Sequence, residues 1–481
     1  MARIVIIGAG FGGIAAAAAL VRAGFDDLVL LEKGDRIGGV WRDNTYPGCG
    51  CDIPAPLYSY SFAPNPQWSR RFPPRREILG YLQDFAERWG LLPRVRLNAQ
   101  VTGAAWDDAA GRWRVSTADG GEVVADVLIP AVGQLGNPVV PVLKGAQRFE
   151  GPAVHTARWP EDLTVDGLNV GVIGTGASAI QLVPAIAGRA GRVTVFQRTP
   201  PWTLPKPDRR YSHLRERLYT RFPGLSRVPR WGVWGMTWVA GRAVTGHRVA
   251  GALLKGMSNA QRRLQVPDPA LRARVTPVEP MGCKRVLFTN AWYPALRRPD
   301  VGLVTAPIEA VTPNGVLTSD GVEHRCDVLV YATGFDAVDF LVPVRIRGRD
   351  GKELSDVWRD GAFAYLGMSV PGFPNLFLMY GPNTNTGNSS VIYFHEAQAR
   401  HIVQAVRLVA AGGAPLEVRR ERSDSYDAEI QRRLATSVWT GCRSWYRTAT
   451  GRIVTNWPGM AAEYRRRTRR LRPADYGRSL E

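Results

Sequence analysis

Two short glycine-rich segments carry the clearest chemistry in this 481-residue chain, GAGFGG at 8–13 and GTGASA at 174–179. In each, the first glycine permits a tight turn, the second lets the backbone approach a pyrophosphate, and the last small residue, Gly13 or Ala179, lets a helix pack close to its strand. The start of such a helix carries partial positive charge, which suits the phosphates of a dinucleotide. The residue 24 positions after the first glycine is Glu32 in one segment and Arg198 in the other. A carboxylate at a strand end accepts hydrogen bonds from a ribose. A guanidinium instead grips a 2′-phosphate through a fork of donors, with the Thr199 hydroxyl beside it. The two sites are therefore expected to take FAD and NADPH respectively, so the chain reads as a flavoprotein reduced by a nicotinamide and reacting where two domains meet.

The elements that must position these residues recur with the motifs. Residues 3–7 read as a strand, 14–23 as a helix ended by Gly24, and 28–32 as a second strand; 169–173, 180–187 and 192–198 repeat that order. The chain thus holds two βαβ units, an α/β fold with two Rossmann-like dinucleotide-binding domains. A second echo, DVLIPAVG at 126–133 and DVLVYATG at 327–334, reads as two buried strands running into glycine turns. The predicted layout is nested. Residues 1–150 open the FAD domain, 151–326 form the NADP domain with a helical insertion at about 200–270, and 327–481 complete the FAD domain and the tail.

Composition narrows the class. A 45% hydrophobic, 22% charged chain of this length belongs with multidomain globular proteins. The net charge of +20 comes from 62 basic residues, of which six are Lys, and apart from Arg465–Arg472 the charge is dispersed, which argues for a solvated surface over a nucleic-acid groove. Five cysteines are too few for a disulfide framework, so a reduced, cytoplasmic setting is expected. The apolar N-terminus resembles a signal-peptide core, but its glycine spacing assigns it to the first βαβ unit. No run reaches the length of a membrane span, and the Trp- and Arg-rich insertion is the one segment suited to peripheral membrane contact. The sequence says nothing of oligomeric state.

A reduced flavin can hand electrons to a disulfide, a metal centre or dioxygen. Cys49-x-Cys51 has the wrong spacing for a redox pair, and no haem or iron–sulfur motif is present. His395 and His401, six apart, lack the spacing of a zinc pair, so no metal is expected. Dioxygen remains.

The stretch FEGPAVHTARWP, Phe149–Pro160, resembles the fingerprint of type I Baeyer–Villiger monooxygenases at Phe149, Gly151, His155, Trp159 and Pro160. GGVWRDNTYPGCGCD at 38–52, GCKR at 282–285, ATGFD at 332–336 and GPN at 381–383 are similar to further segments of that family, in the same order along the chain. Residues 381–402 are closer to 4-hydroxyacetophenone monooxygenase-like members, and SVWTGCRSWY around Trp439 matches the cofactor-closing loop of the cyclohexanone type loosely. The resemblance implies oxidation of a ketone to an ester or lactone with FAD, NADPH and dioxygen, through a flavin peroxide. It implies Arg285 as the cation that stabilises that anion, with Asp52 pairing with it. The cofactor-contacting residues it implies are Gly8, Gly10, Phe11, Gly13, Glu32, Lys33, Gly39, Val40, Trp41, Asp52, Tyr58, Val101 and Asn383, then Gly174, Thr175, Gly176, Ala177, Ser178, Ala179, Gln181, Arg198, Thr199, Lys284 and Trp439. His155 is expected as a hinge residue between domains. The competing enzyme class, N- or S-oxygenating flavin monooxygenases, needs no such cation and lacks the Trp159–Pro160 ending.

Overall fold

The computed structural model describes residues 2–244, 247–387, 389–412, 414–442 and 444–478. Asn388 and Arg443, within two of the segments compared above, lie outside the described residues.

The first unit runs through β1 (Ile4–Ile7), the helix Phe11–Arg22, β2 (Leu28–Leu31) and, after the helix Arg75–Arg88, β3 (Val95–Arg96). A meander of β4 (Val101–Asp107), β5 (Arg112–Thr117) and β6 (Glu122–Ala125) leads into β7 (Val127–Pro130). β1 pairs in parallel with β2 and β7, giving the order β3-β2-β1-β7. Every residue of β1 and β7 is buried, as continuous apolar runs require in a parallel sheet covered on both faces.

The second unit repeats the plan. β8 (Ala153–His155) precedes β9 (Asn169–Ile173), the helix Ala179–Ile186 and β10 (Arg192–Phe196). β11 (Thr203–Leu204) and β12 (Leu287–Phe288) pair in parallel, so the chain leaves for the helical insertion and returns at adjacent points. β13 (Val301–Val304), a meander of β14 (Ile308–Thr312), β15 (Gly315–Thr318) and β16 (Glu323–Arg325), and then β17 (Val328–Tyr331) complete a sheet of order β13-β10-β9-β17-β8. The insertion holds the helices His213–Arg221, Arg227–Val244 and Arg248–Gln265.

One expected boundary moves. Division at 326/327 would cut β17 from its sheet, where Val328–Tyr331 pair with Val170–Ile173. The echo between DVLIPAVG and DVLVYATG explains why: each is the strand that closes its own sheet beside its own glycine turn, so the second domain ends after Tyr331. The chain rejoins the first domain at β18 (Arg345–Arg347), paired with β4, and at the long helix Val391–Ala410, which packs on Phe11–Arg22. The two interdomain linkers touch each other through the bridge Pro138–Phe335 and the bond from the Val139 N–H to the Gly334 carbonyl, 3.0 Å.

Candidate active site

The two glycine turns are built alike. At Gly8 (φ +101°) a Cβ would lie 2.8 Å from the Ala131 carbonyl oxygen, and at Gly174 (φ +107°) it would lie 2.6 Å from that of Ala332. Both positions combine left-handed backbone with a strand passing overhead, so only glycine fits. Neither helix that follows has a side-chain cap, which leaves the N–H groups behind Gly10 and Ser178 to a ligand. Phe11 packs on Tyr58, with ring centroids 5.5 Å apart. Gly39 closes over Gly10, backbone against backbone, ahead of Val40 and Trp41.

Glu32 and Arg198 stand at equivalent strand ends in opposite environments. Glu32 is buried and accepts from the N–H groups of Ala9 (2.8 Å) and Gly34 (2.9 Å), and from Arg42 Nη1 at 2.7 Å. Lys33 beside it points to solvent. Arg198 is exposed and has no acid partner among the described residues. Lys284 Nζ reaches its neighbour, donating to Thr199 Oγ1 at 3.1 Å and to Glu279 at 2.9 Å, while Thr175 Oγ1 donates to the Thr199 carbonyl at 2.9 Å. Arg198, Thr199 and Lys284 thus come together at one end of the second sheet, although 85 residues separate Thr199 from Lys284.

Residue 285, next along, makes the central contact. Arg285 Nε donates to Asp52 Oδ2 at 3.0 Å and Nη2 donates to Oδ1 at 2.6 Å, a forked ion pair across 233 residues. Arg285 keeps 40% of its side chain accessible and Asp52 17%, although protein surrounds the pair. The guanidinium is therefore partly open to a ligand while its fork is held by Asp52. The carboxylate raises the arginine's already high pKa further, so it stays charged at any working pH. Lys206 stands near the same carboxylate and is shifted downward, chiefly by burial. The phenols of Tyr446 and Tyr380 also feel Arg285; burial pushes Tyr446 up to about 12 and Tyr380 upward.

The segment that supplies Asp52 is tied to both domains. Trp41 Nε1 donates to the Tyr58 hydroxyl at 3.2 Å, and Thr45 donates to the Trp159 carbonyl at 3.0 Å. Gln181, expected at a cofactor, is engaged in this seam: its Oε1 accepts from the Tyr46 hydroxyl at 2.9 Å and its Nε2 donates to the Gly50 carbonyl at 3.0 Å. His155 is buried between the linkers, its Nδ1 accepting from the Ala157 N–H at 3.1 Å and its ring edge-on to Phe335. Val101 is buried at the start of β4, and Asn383 donates to the carbonyls of Ile453 and Asn456, docking the tail.

Three expectations change. Trp439 is 2% exposed within the core of the first domain and has no surface to offer a cofactor; the tail residue at the site is Tyr446. Cys283 and Cys442 form a disulfide across 159 residues, a single bond where the cysteine count led to the expectation of a reduced setting. A count of cysteines could not reveal it, because only the fold brings the tail beside the GCKR segment. ATGFD, which the expected boundary at 326/327 assigns to the FAD domain, closes over Gly174 in the second unit. Sequence reasoning also missed Lys206 and Tyr380, which no motif marks. Cys49 and Cys51 remain free, with burial pushing Cys49 up to about 11 and Cys51 higher, which makes both poor thiolates. Among the described residues no group of His, Cys, Asp and Glu is arranged to hold a metal.

Comparison with known proteins fits this geometry. Residues 5–227 match the family model described as pyridine nucleotide-disulphide oxidoreductase. A Baeyer–Villiger monooxygenase of Streptomyces coelicolor is 40% identical over 478 residues, covering 98% of this chain and 92% of that protein. The chain belongs to the Baeyer–Villiger monooxygenase family. Cyclohexanone monooxygenase from Rhodococcus sp. Phi1, solved bound to NADP+, superposes with a TM-score of 0.88 at 29% identity, covering 97% of this chain and 96% of that one. OTEMO, solved in complex with FAD and NADP, superposes with a TM-score of 0.89 at 28% identity, covering 99% of both chains. The fold is therefore that of two-domain Rossmann flavoenzymes of the cyclohexanone monooxygenase type. The disulphide chemistry in the family model's description has no counterpart at Cys49 and Cys51.

Proposed function

We propose that this Baeyer–Villiger monooxygenase uses FAD, NADPH and dioxygen to convert an apolar ketone to an ester or lactone, and that Arg285 is its catalytic cation. The net reaction is ketone + O2 + NADPH + H+ giving ester + NADP+ + H2O. The observation that carries this reading is the forked, partly accessible Arg285–Asp52 pair, linked through Lys284 and Thr199 to the second glycine turn and through residues 38–52 to the first. Bound FAD, once reduced by NADPH, would activate dioxygen, of which one oxygen atom is inserted beside the carbonyl and the other leaves as water.

The residues present fit both groups. The uncapped helix start behind Gly10 offers backbone donors to a pyrophosphate, and the carboxylate of Glu32 sits beside it for a ribose. Arg198, Lys284 and Thr199 form a cationic, hydroxyl-bearing cluster suited to a 2′-phosphate. Arg285 holds a fixed positive charge where negative charge develops as the carbonyl is attacked, and it needs no reorganisation because Asp52 already fixes its fork. Asp52 is thus a positioning residue. His155 couples the linkers and takes no proton in this scheme, its pKa lowered by burial. Within the family, residues 381–402 support a 4-hydroxyacetophenone monooxygenase-like assignment on sequence alone. No described helix is long and apolar enough to cross a membrane. Dependence on NADPH supports a cytoplasmic setting, in which the Cys283–Cys442 bond forms against a reducing background.

The test is incubation of the FAD-loaded enzyme with NADPH, isotopically labelled dioxygen and a panel of cyclic, linear and aryl ketones plus one thioether. Labelled ester or lactone is the expected product. Labelled sulfoxide with no ester from any ketone would move the enzyme to the N- or S-oxygenating class.

A further inference from the structure

For its length, the helical insertion exposes far more large apolar side chains than the rest of the described residues. Of 22 large hydrophobic residues exposed among the described residues, 11 fall between Leu214 and Leu264. They follow helical spacing. On the helix Arg227–Val244, Val228, Trp231 and Trp238 recur at intervals of three and seven along one outward stripe, with Trp231 76% exposed. The adjoining side faces the FAD domain: Arg230 donates to the Pro56 carbonyl at 2.8 Å, Val233 is buried, and Trp234, half-buried, packs edge-on against Tyr393. Leu214 and Leu218 on the preceding helix, and Val249, Leu253 and Met257 on the following one, present their own stripes at four-residue spacing. All three helices therefore show apolar side chains to the outside while the middle one anchors the unit on the enzyme.

Charge decides what covers this face. Between His213 and Gln265 there are nine arginines and one lysine against a single acid, Glu216; even with Arg230 and Arg262 turned inward, the segment keeps a large cationic excess. Arg217 lies between Leu214 and Leu218 on the exposed stripe, and Arg242 stacks over Trp238 at 4.8 Å. A second copy docking on the same face by two-fold symmetry would oppose two strongly positive surfaces. An anionic bilayer complements them, taking the cations at its headgroups and the Trp and Leu side chains at the acyl boundary. A pattern of basic residues, interfacial Trp and outward apolar stripes on helices too polar to span is that of a surface-lying membrane contact.

We infer that the helical insertion docks the enzyme on an anionic phospholipid surface. The contact uses residues apart from the Arg285–Asp52 pair and does not depend on the reaction assigned above. The test is flotation of the full-length, FAD-loaded protein with vesicles of equimolar phosphatidylcholine and phosphatidylglycerol, with phosphatidylcholine alone as reference, for wild type and the double variant Trp231→Ser, Trp238→Ser. Both tryptophans are exposed and neither contacts the Arg285–Asp52 pair or the glycine turns, so FAD content and NADPH oxidation should be unchanged in the variant. Wild type should float with the anionic vesicles, less so with the neutral ones or in high salt, and the variant should partition about tenfold less. Absence of binding to anionic vesicles at low salt would overturn the inference, as would equal binding by the variant. A dimer in light scattering that the double substitution dissociates, with no vesicle binding, would assign the face to a second copy and overturn it too.

Discussion

The two nucleotide units are near copies in plan and opposites in how they hold charge. Each places its first glycine under the carbonyl that follows the closing strand, Ala131 over Gly8 and Ala332 over Gly174, and each inserts a three-stranded meander before that strand. In the first unit the recognising residue, Glu32, is buried and fully tied by two backbone N–H groups and Arg42. In the second, Arg198 stands exposed and without an acid partner among the described residues, and the supporting cation, Lys284, arrives from a distant loop. On the proposed assignment, a ribose would be read by a rigid internal network and a 2′-phosphate by charge gathered at the surface. The difference suits a flavin that stays bound and a nicotinamide that must leave each cycle.

Substitutions can break this pairing at graded cost. The largest effect is expected at the helix–strand contact. A Cβ at Gly13 would lie 1.9 Å from the Gly8 carbonyl oxygen, whereas the second unit already carries Ala179 at this place. Gly13→Ala should cost about 3 kcal/mol or more and yield protein depleted of FAD, read by flavin absorbance and thermal unfolding. Full FAD occupancy in that variant would mean that the two turns are interchangeable. Next, Glu32→Gln leaves Arg42 buried with a weakened partner, so a loss of about 3 kcal/mol is expected with lowered FAD retention. Unchanged stability would show that the network is not what holds the first site.

Arg198→Ala tests the second unit. Loss of a charge-assisted phosphate contact should raise the Michaelis constant for NADPH about 10- to 100-fold and leave that for NADH nearly constant. Equal effects on both would remove the phosphate from the account. The smallest effect is a pH dependence at His401, buried and held down to about 4 by desolvation. Because its folded pKa lies below the ordinary 6.5, the unfolded chain takes up the proton first, so stability is retained above about pH 6.5 and lost as pH falls toward 4. His401→Gln should flatten that slope by about 1–2 kcal/mol near pH 5 in denaturant titrations, and an unaltered slope would assign it to other groups.

How much of this was legible in the sequence depends on chain distance. Gly8, Gly13, Glu32, Gly174 and Arg198 lie within single βαβ units, where glycine spacing and strand periodicity are local signals, so the fold and the opposed charges could be read directly. Asp52 and Arg285 entered only through family resemblance, because nothing local pairs residues 233 positions apart. Lys206, Tyr380, Tyr446 and the Cys283–Cys442 bond were not legible, since each depends on packing of the insertion or tail against the cleft. The misplaced boundary before β17 has the same origin: an echo marks two related strands without saying which sheet each joins.

The most direct test of the reaction assigned to the space between these units is the ratio of ester formed to NADPH consumed in Arg285→Ala. With a fixed cation removed and both nucleotide sites intact, NADPH oxidation should continue while ester formation falls by about 100-fold or more, with the reducing equivalents appearing as hydrogen peroxide. An unchanged ratio of ester to NADPH would contradict the assignment of Arg285 as the catalytic cation.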